Sequence, residues 1–335
     1  MTTPAFPLIA YPRCRWPDPL HRGIALEFRE QFFPLGVPIE VQSNRETVLA
    51  AASLSFGRYG ECPSGKPAEL LIQLCVDPER HDEKPLAVPC YRALSHLFHI
   101  GCSEASFAIA DLARGSAVGF VSPEIANDTS FFCYVFLECL FHVLTVHRNH
   151  TPVHCSCVAL SDCGVLICGA SGTGKTTLAY ACLKAGMQIV SDDVVHLRLD
   201  PVRHELKLWG NPWTLRLLPD AVQIFPELNG TDVKRRGGQE KCLEIDVSRQ
   251  FPGSASISCR PAALVFLQRH DAGHRLRPIE KEVALQRLFR DVVLDEDAVM
   301  VRHQTVLQEL VTTGTYELSY AGSPFDAAES IKSLL

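Results

Sequence analysis

Residues Gly169 to Thr176 read GASGTGKT, which fits the pattern G-x-x-x-x-G-K-[ST]. Each position suits the gripping of phosphate oxygens. Gly169, Gly172 and Gly174 let the backbone fold close around an anion with its N–H groups turned inward. The helix that follows offers the positive end of its dipole to the same anion. Lys175 supplies a point charge to β- and γ-phosphates, and the Thr176 hydroxyl is placed to ligate Mg2+. The motif lies between an apolar run and an amphipathic segment, a context that an ordinary glycine turn with a surface lysine lacks.

A second group of chemical interest is Ser191-Asp192-Asp193, which closes the apolar run Gln188–Val190. Asp192 stands seventeen residues after Lys175, at the expected C-terminal end of the next strand, where a P-loop fold needs a metal-binding acid. Adjacent side chains on a strand point to opposite faces. One aspartate therefore faces a Mg2+–nucleotide while the other turns to an acceptor or a structural partner. Taken alone, the pair also reads as a solvated turn. Arg216 is either a stabiliser of developing phosphate charge or a core-edge arginine beside Trp213. Lys241 ends a basic, glycine-bearing stretch, Lys234–Lys241, expected as a mobile loop. That loop either closes over the triphosphate or acceptor or is simply solvated. His142, His147 and His150 cluster without a metal-ligand pattern and read as structural.

These local patterns together resemble the catalytic domain of HPr kinase/phosphorylase. The likeness rests on His154 at the start of a strand, then GVLICGASGTGKTTLAYACLKAG, then QIVSDDVV, roughly residues 154 to 196. The resemblance implies nucleotide binding across Gly169, Ala170, Ser171, Gly172, Thr173, Gly174, Lys175, Thr176 and Thr177, with ATP and Mg2+ as cofactors. It implies phosphoryl-transfer acids at Asp192 and Asp193 and a catalytic-site role for His154. The implied fold is α/β, a P-loop kinase core shared with phosphoenolpyruvate carboxykinases and built on a mixed sheet. The family's N-terminal half and its signature segment after the double aspartate have no clear counterpart. Gly210-Asn211-Pro212-Trp213-Thr214-Leu215-Arg216 and the Lys241 loop stand in that place. The chain is thus similar to divergent HPr-kinase-like proteins, some of which phosphorylate peptides.

The elements that must position these residues follow from periodicity. Residues 1–150 read as an α+β scaffold, recognition or oligomerisation domain, with strands at Pro38–Gln42, Glu69–Val76, Ser106–Ala110 and Ala117–Val121 and helices at Arg45–Leu54 and Phe131–Val146. Residues 151–335 read as the P-loop domain. In it, His154–Leu160 and Val165–Cys168 are strands, and Thr176–Ala185 is a helix with Gly186 at its left-handed cap. Gln188–Val190, Val194–Leu199, Ala263–Leu267 and Tyr316–Tyr320 are further strands. Lys281–Val293, Ala298–Val311 and the stretch from Pro324, capped by Ser323, are helices.

Composition narrows the classes. The 335 residues are 47% hydrophobic and 21% charged, with a formal charge of −6, which speaks against a disordered chain or a broadly basic nucleic-acid binder. Phe131–Val146, interrupted by Glu138 and His142, reads as a buried helix rather than a membrane span. The proline-bearing start has no apolar signal region, so a reducing cytoplasm is expected. None of the fourteen cysteines forms a C-x-x-C pair, and they read as reduced core thiols. The resulting expectation is an ATP-dependent kinase of a Ser or Thr hydroxyl on a protein or peptide, in which Asp192 binds the metal and Asp193 is the base, or the reverse. A homo-oligomer is compatible with this reading. A nucleotide-gated regulator, a kinase of a small alcohol and a reversible kinase/phosphorylase would use the same nucleotide site.

Overall fold

The computed structural model describes residues 25–83, 88–200, 202–231, 233–236, 240–269, 274–289 and 297–335. Cys14, and the parts of two expected elements at 237–239 and 290–293, lie outside those residues. The chain divides into two compact units, one holding the described residues up to Phe32 together with Pro38–Phe141, the other Phe33–Val37 together with His142–Leu335.

The first unit contains β1 (Phe28–Phe32), β2 (Ile39–Ser43), α1 (Glu46–Phe56), β3 (Leu70–Val76), β4 (Cys90–Leu94), β5 (Leu97–Gly101), β6 (Phe107–Asp111) and β7 (Ser116–Val121). The seven strands form one sheet in the order β1-β2-β3-β7-β6-β5-β4, parallel at β2–β3–β7 and antiparallel elsewhere. Period-two alternation buries Ile39, Val41, Leu70, Ile72, Leu74, Ala108 and Ala110. After β7, Ser122 caps α2 (Pro123–Asn127) and Asp128 caps α3 (Thr129–Phe132), each side chain accepting a backbone N–H three residues on. A π turn (Cys133–Glu138) joins α3 to α4 (Cys139–Arg148), making one continuous helix, Thr129–Arg148. With a mean hydropathy of 1.7 this helix is long and apolar enough to cross a membrane. Its apolar side chains are spent on the protein interior instead, since Phe132, Val135, Phe136, Leu140 and Leu144 are buried.

The second unit continues through β8 (Thr151–Leu160), β9 (Cys163–Cys168), α5 (Lys175–Lys184), β10 (Gln188–Ser191), β11 (Val194–Leu199), β12 (Leu206–Trp209), β13 (Thr214–Leu217), β14 (Val233–Arg236), β15 (Glu240–Asp246), α6 (Val247–Gln250), β16 (Ser258–Arg269), β17 (Arg275–Pro278), α7 (Lys281–Phe289), α8 (Asp297–Leu310), β18 (Gly314–Tyr320) and α9 (Pro324–Lys332). Strands β9, β16 and β18 run parallel, whereas β8 runs antiparallel to β9, β10 and β11. The result is a mixed-sheet α/β fold with a strand–P-loop–helix unit at β9–α5, as expected for a P-loop kinase-like core. Ser161 and Asp162, both at positive φ, make the two-residue turn between β8 and β9. One core packs α5 and α9 with Val158, Ile167, Val265 and Leu318. Another packs Ala284, Leu288, Leu307 and Leu310 of α7 and α8 with Cys155, Cys157, Leu166 and Val195. Eight of the thirteen described cysteines are buried.

One expectation changes. Lys234–Lys241 is not a loop throughout: Val233–Arg236 and Glu240–Asp246 pair antiparallel, and β13 joins them in a three-stranded sheet. Lys241 therefore sits on a strand, across from Arg235. Charge and glycine made the segment look solvated. Leu243 and Ile245, just past its end, are the buried residues that draw it into a sheet. The strands β4 and β5 are not among the elements expected from the sequence, because β4 is exposed along its whole length and lacks the alternation that burial imposes.

Candidate active site

Strand β8 presents the site by simple alternation. Cys155, Cys157 and Ala159 belong to the core with α7 and α8. Val158 points the other way, into the core with α5. Ser156 and His154 continue that second face.

The loop after β9 has the expected geometry. Gly172 and Gly174 stand at φ +79° and +91°, in the left-handed region that a side chain rarely enters. At Gly174 there is a second reason: a Cβ there would lie 2.9 Å from the Tyr320 hydroxyl. Lys175 is only 8% exposed, and its ammonium donates to the carbonyl oxygens of Gly169 at 2.8 Å and Ala170 at 3.3 Å. Thr173 closes the loop by donating from Oγ1 to the Ala170 carbonyl at 2.8 Å. Behind it, Leu178 through Leu183 are all buried, so the helix N-terminus is anchored where an anion would meet it.

The two aspartates follow β10 in a bend and diverge. Asp192 accepts a hydrogen bond at Oδ2 from the Arg216 backbone N–H, 3.0 Å, and the Thr176 hydroxyl also favours its charged form. The Ser156 hydroxyl donates to the Asp192 carbonyl at 2.9 Å and stands 3.5 Å from its Oδ1. Burial raises the Asp192 carboxyl above its usual range; the Arg216 and Thr176 donors pull it down, and the Asp193 charge pushes it up again. Asp193 turns instead to His154, whose Nδ1 lies 3.3 Å from Oδ1, with side chains 43% and 46% exposed.

Arg216 approaches the site by its backbone. Its guanidinium Nε lies 3.5 Å from Glu244 Oε2, directly across from it on β15. Lys241 is exposed, three residues before Glu244. The sequence reading missed Ser156, Glu244, Gly210 and Tyr320. Only Ser156 had a legible signal, its even spacing between His154 and Val158. The others reach the site from distant elements.

The donor chemistry fits Mg2+-ATP. Thr176 and Asp192, the two oxygen ligands expected of a P-loop site, act on each other electrostatically, and hard oxygen donors suit Mg2+. The glycine loop, Lys175 and the helix terminus suit the phosphates.

Comparisons with known proteins bear on the part of the chain that holds this site. Residues 147–212 match the family model of the HPr Serine kinase C-terminal domain. No curated protein matches the chain. Among solved structures, the HPr(Ser) kinase/phosphatase from Coxiella burnetii is similar at 15% identity and a TM-score of 0.30, covering 55% of this chain and 87% of that one. The family match spans His154, Ser156, the P-loop, both aspartates and Gly210, and this part of the chain is an HPr-kinase-like domain.

Proposed function

We propose that the protein is an ATP-dependent kinase that transfers the γ-phosphoryl group to a Ser or Thr hydroxyl of a protein or peptide. One observation carries the reading. The two neighbouring acids are held by different partners, Asp192 by the Arg216 N–H and the Ser156 hydroxyl and Asp193 by His154, and phosphoryl transfer needs those two separate tasks. When bound, Mg2+-ATP supplies the transferable phosphoryl group and the charge that screens it. The P-loop N–H groups and Lys175 orient the phosphates, and Thr176 and Asp192 are the metal ligands. Asp193, half exposed, takes the proton of the acceptor hydroxyl, and His154 holds that carboxylate in place through Nδ1–H. Arg216, steadied by Glu244, lends positive charge to the transferring group, and Lys241 belongs to the same small sheet on the acceptor side. The setting is cytoplasmic, with a polypeptide partner, neither nucleic acid nor membrane, and room for a homo-oligomer.

The test is transfer from labelled Mg2+-ATP to arrayed Ser- and Thr-containing peptides. Asp193→Asn should keep nucleotide affinity within a few-fold and lose about 10²–10⁴ in transfer rate. Equal transfer by the variant and the wild type would remove Asp193 from the mechanism. Nucleotide binding with transfer to water alone would favour a nucleotide-gated regulator.

A further inference from the structure

The pairing along β8 isolates one residue that no motif marks. Ser191 pairs with Cys157 and Val194 with His154, so β10 and β11 keep one register along β8. The bend at Asp192 and Asp193 interrupts them. In that register Asp192 falls opposite Ser156, but the ladder has already become irregular between Ile189 and Ser191. The Ser156 hydroxyl takes over where backbone pairing stops, donating to the Asp192 carbonyl at 2.9 Å. Ser156 is fully buried, so this hydroxyl has no solvent alternative. The same oxygen lies 3.5 Å from Asp192 Oδ1. The main chain of Asp192 is thus tied to a single side chain on the neighbouring strand, with its carboxylate close beside the same oxygen.

We propose that Ser156 is a positioning residue that sets the Mg2+ requirement of nucleotide binding by fixing Asp192. The proposal rests on the reading of Asp192 as a metal ligand. Ser156 touches neither nucleotide nor acceptor; it acts through the bend. Without its hydroxyl, Asp192 keeps the Arg216 N–H and Thr176 contacts but loses the tie on its main chain. The carboxylate must then be ordered as the cation binds. The P-loop is unaffected, since its hydrogen bonds run within residues 169–175 and to the start of α5.

Calorimetric titration of ADP at a series of Mg2+ concentrations tests this without an acceptor. Ser156→Ala should raise the Mg2+ concentration needed for half-maximal affinity gain roughly 3- to 10-fold, the size of one lost hydrogen bond. ADP affinity in EDTA should be unchanged. Asp192→Asn, the reference, should abolish the Mg2+ effect. A Ser156→Ala protein with lowered thermal stability but a wild-type Mg2+ requirement would make the serine merely structural and overturn the proposal. If Ser156→Ala fails to fold, Ser156→Cys, similar in size and a weaker donor, takes its place: a raised requirement supports the proposal and an unchanged one overturns it. Should Asp192→Asn also leave the Mg2+ effect intact, the assignment of Asp192 is at fault. If only the serine variants do so, that assignment survives and the proposal alone fails.

Discussion

Asp192 is held by the Arg216 N–H and the Ser156 hydroxyl yet remains a costly charge. Burial pushes its carboxyl upward, the Arg216 N–H and Thr176 hydroxyl oppose that, and Asp193 adds repulsion. A carboxylate whose folded-state pKa is raised costs stability once pH exceeds the ordinary carboxylate range, because the unfolded chain then carries the charge more cheaply. At neutral pH the site therefore opposes folding until a cation binds. Asp192→Asn should raise the melting temperature of the nucleotide- and Mg2+-free protein, while the stabilisation conferred by Mg2+-ADP on the wild type should shrink in the variant. A lower melting temperature would mean that the hydrogen bonds outweigh the buried charge. Lys175 is the positive group of the same site. Its ammonium is nearly buried and, among the described residues, donates hydrogen bonds to carbonyl oxygens of its own loop, which leaves its charge available to an anion.

At the scale of elements, the bend after β10 depends on how closely β12 leaves the sheet. A Cβ on Gly210 would lie 2.1 Å from the Val190 carbonyl oxygen and 2.7 Å from Ser191 Cβ. Contacts that close require the backbone itself to move. Gly210→Ala should cost about 1–3 kcal/mol or more of stability and displace the residues leading into Asp192. Urea unfolding would measure the first effect and the Mg2+ dependence of ADP binding the second. Wild-type stability would show that β12 can shift freely. The small sheet β13–β15–β14 matters in the same way, because its first strand delivers the Arg216 N–H to Asp192 and its second delivers Glu244 to Arg216. A similar internal clamp lies on β18. There Glu317, 1% exposed, is neutralised by the guanidiniums of Arg277 and Arg287, and Arg287 also lies over the Phe266 ring.

On the scale of the whole molecule, histidines tie stability to pH. His142 and His150 meet the ring of His196, with centroids 5.1 and 5.9 Å apart, and His303 meets the Thr151 hydroxyl at 2.8 Å. Burial lowers all four. His150, also facing Arg198 and Arg302, is brought to about 3, and His303, facing Arg302 and His147, to about 4. These rings are neutral in the folded protein, whereas the unfolded chain protonates near pH ~6.5. Their contribution is thus complete above that pH and declines as pH falls from about 6.5 towards 4. Each histidine that resists protonation adds a slope of about 1.4 kcal/mol per pH unit. Urea midpoints should fall steeply between pH 6.5 and 4, and His303→Gln should remove about one proton's worth of that slope. A flat profile would contradict the burial of these rings.

Local order carried much of this protein into its sequence. The P-loop was legible because glycine, lysine and threonine at fixed offsets are required by backbone conformation and charge, which neighbours in sequence supply. The β8–β9 hairpin, α5 and its Gly186 cap were legible for the same reason, and so was the double aspartate at a strand's end. His154 needed the resemblance as well, since one histidine among thirteen carries no signal. What the sequence could not reveal depends on chain segments meeting from a distance. The exposed strand β4 has no alternation to read, and β14–β15 are charged where they begin and buried only further along. Which aspartate faces Thr176 and which faces His154 is decided by a break in the pairing along β8. The Ser156 hydroxyl, the Arg216 N–H and the bare α-carbon of Gly210 converge on that break from three separate strands or strand ends. Their effect is geometric, the placing of one carboxylate by hydrogen bonds and close packing, and only the tertiary structure brings those groups within reach.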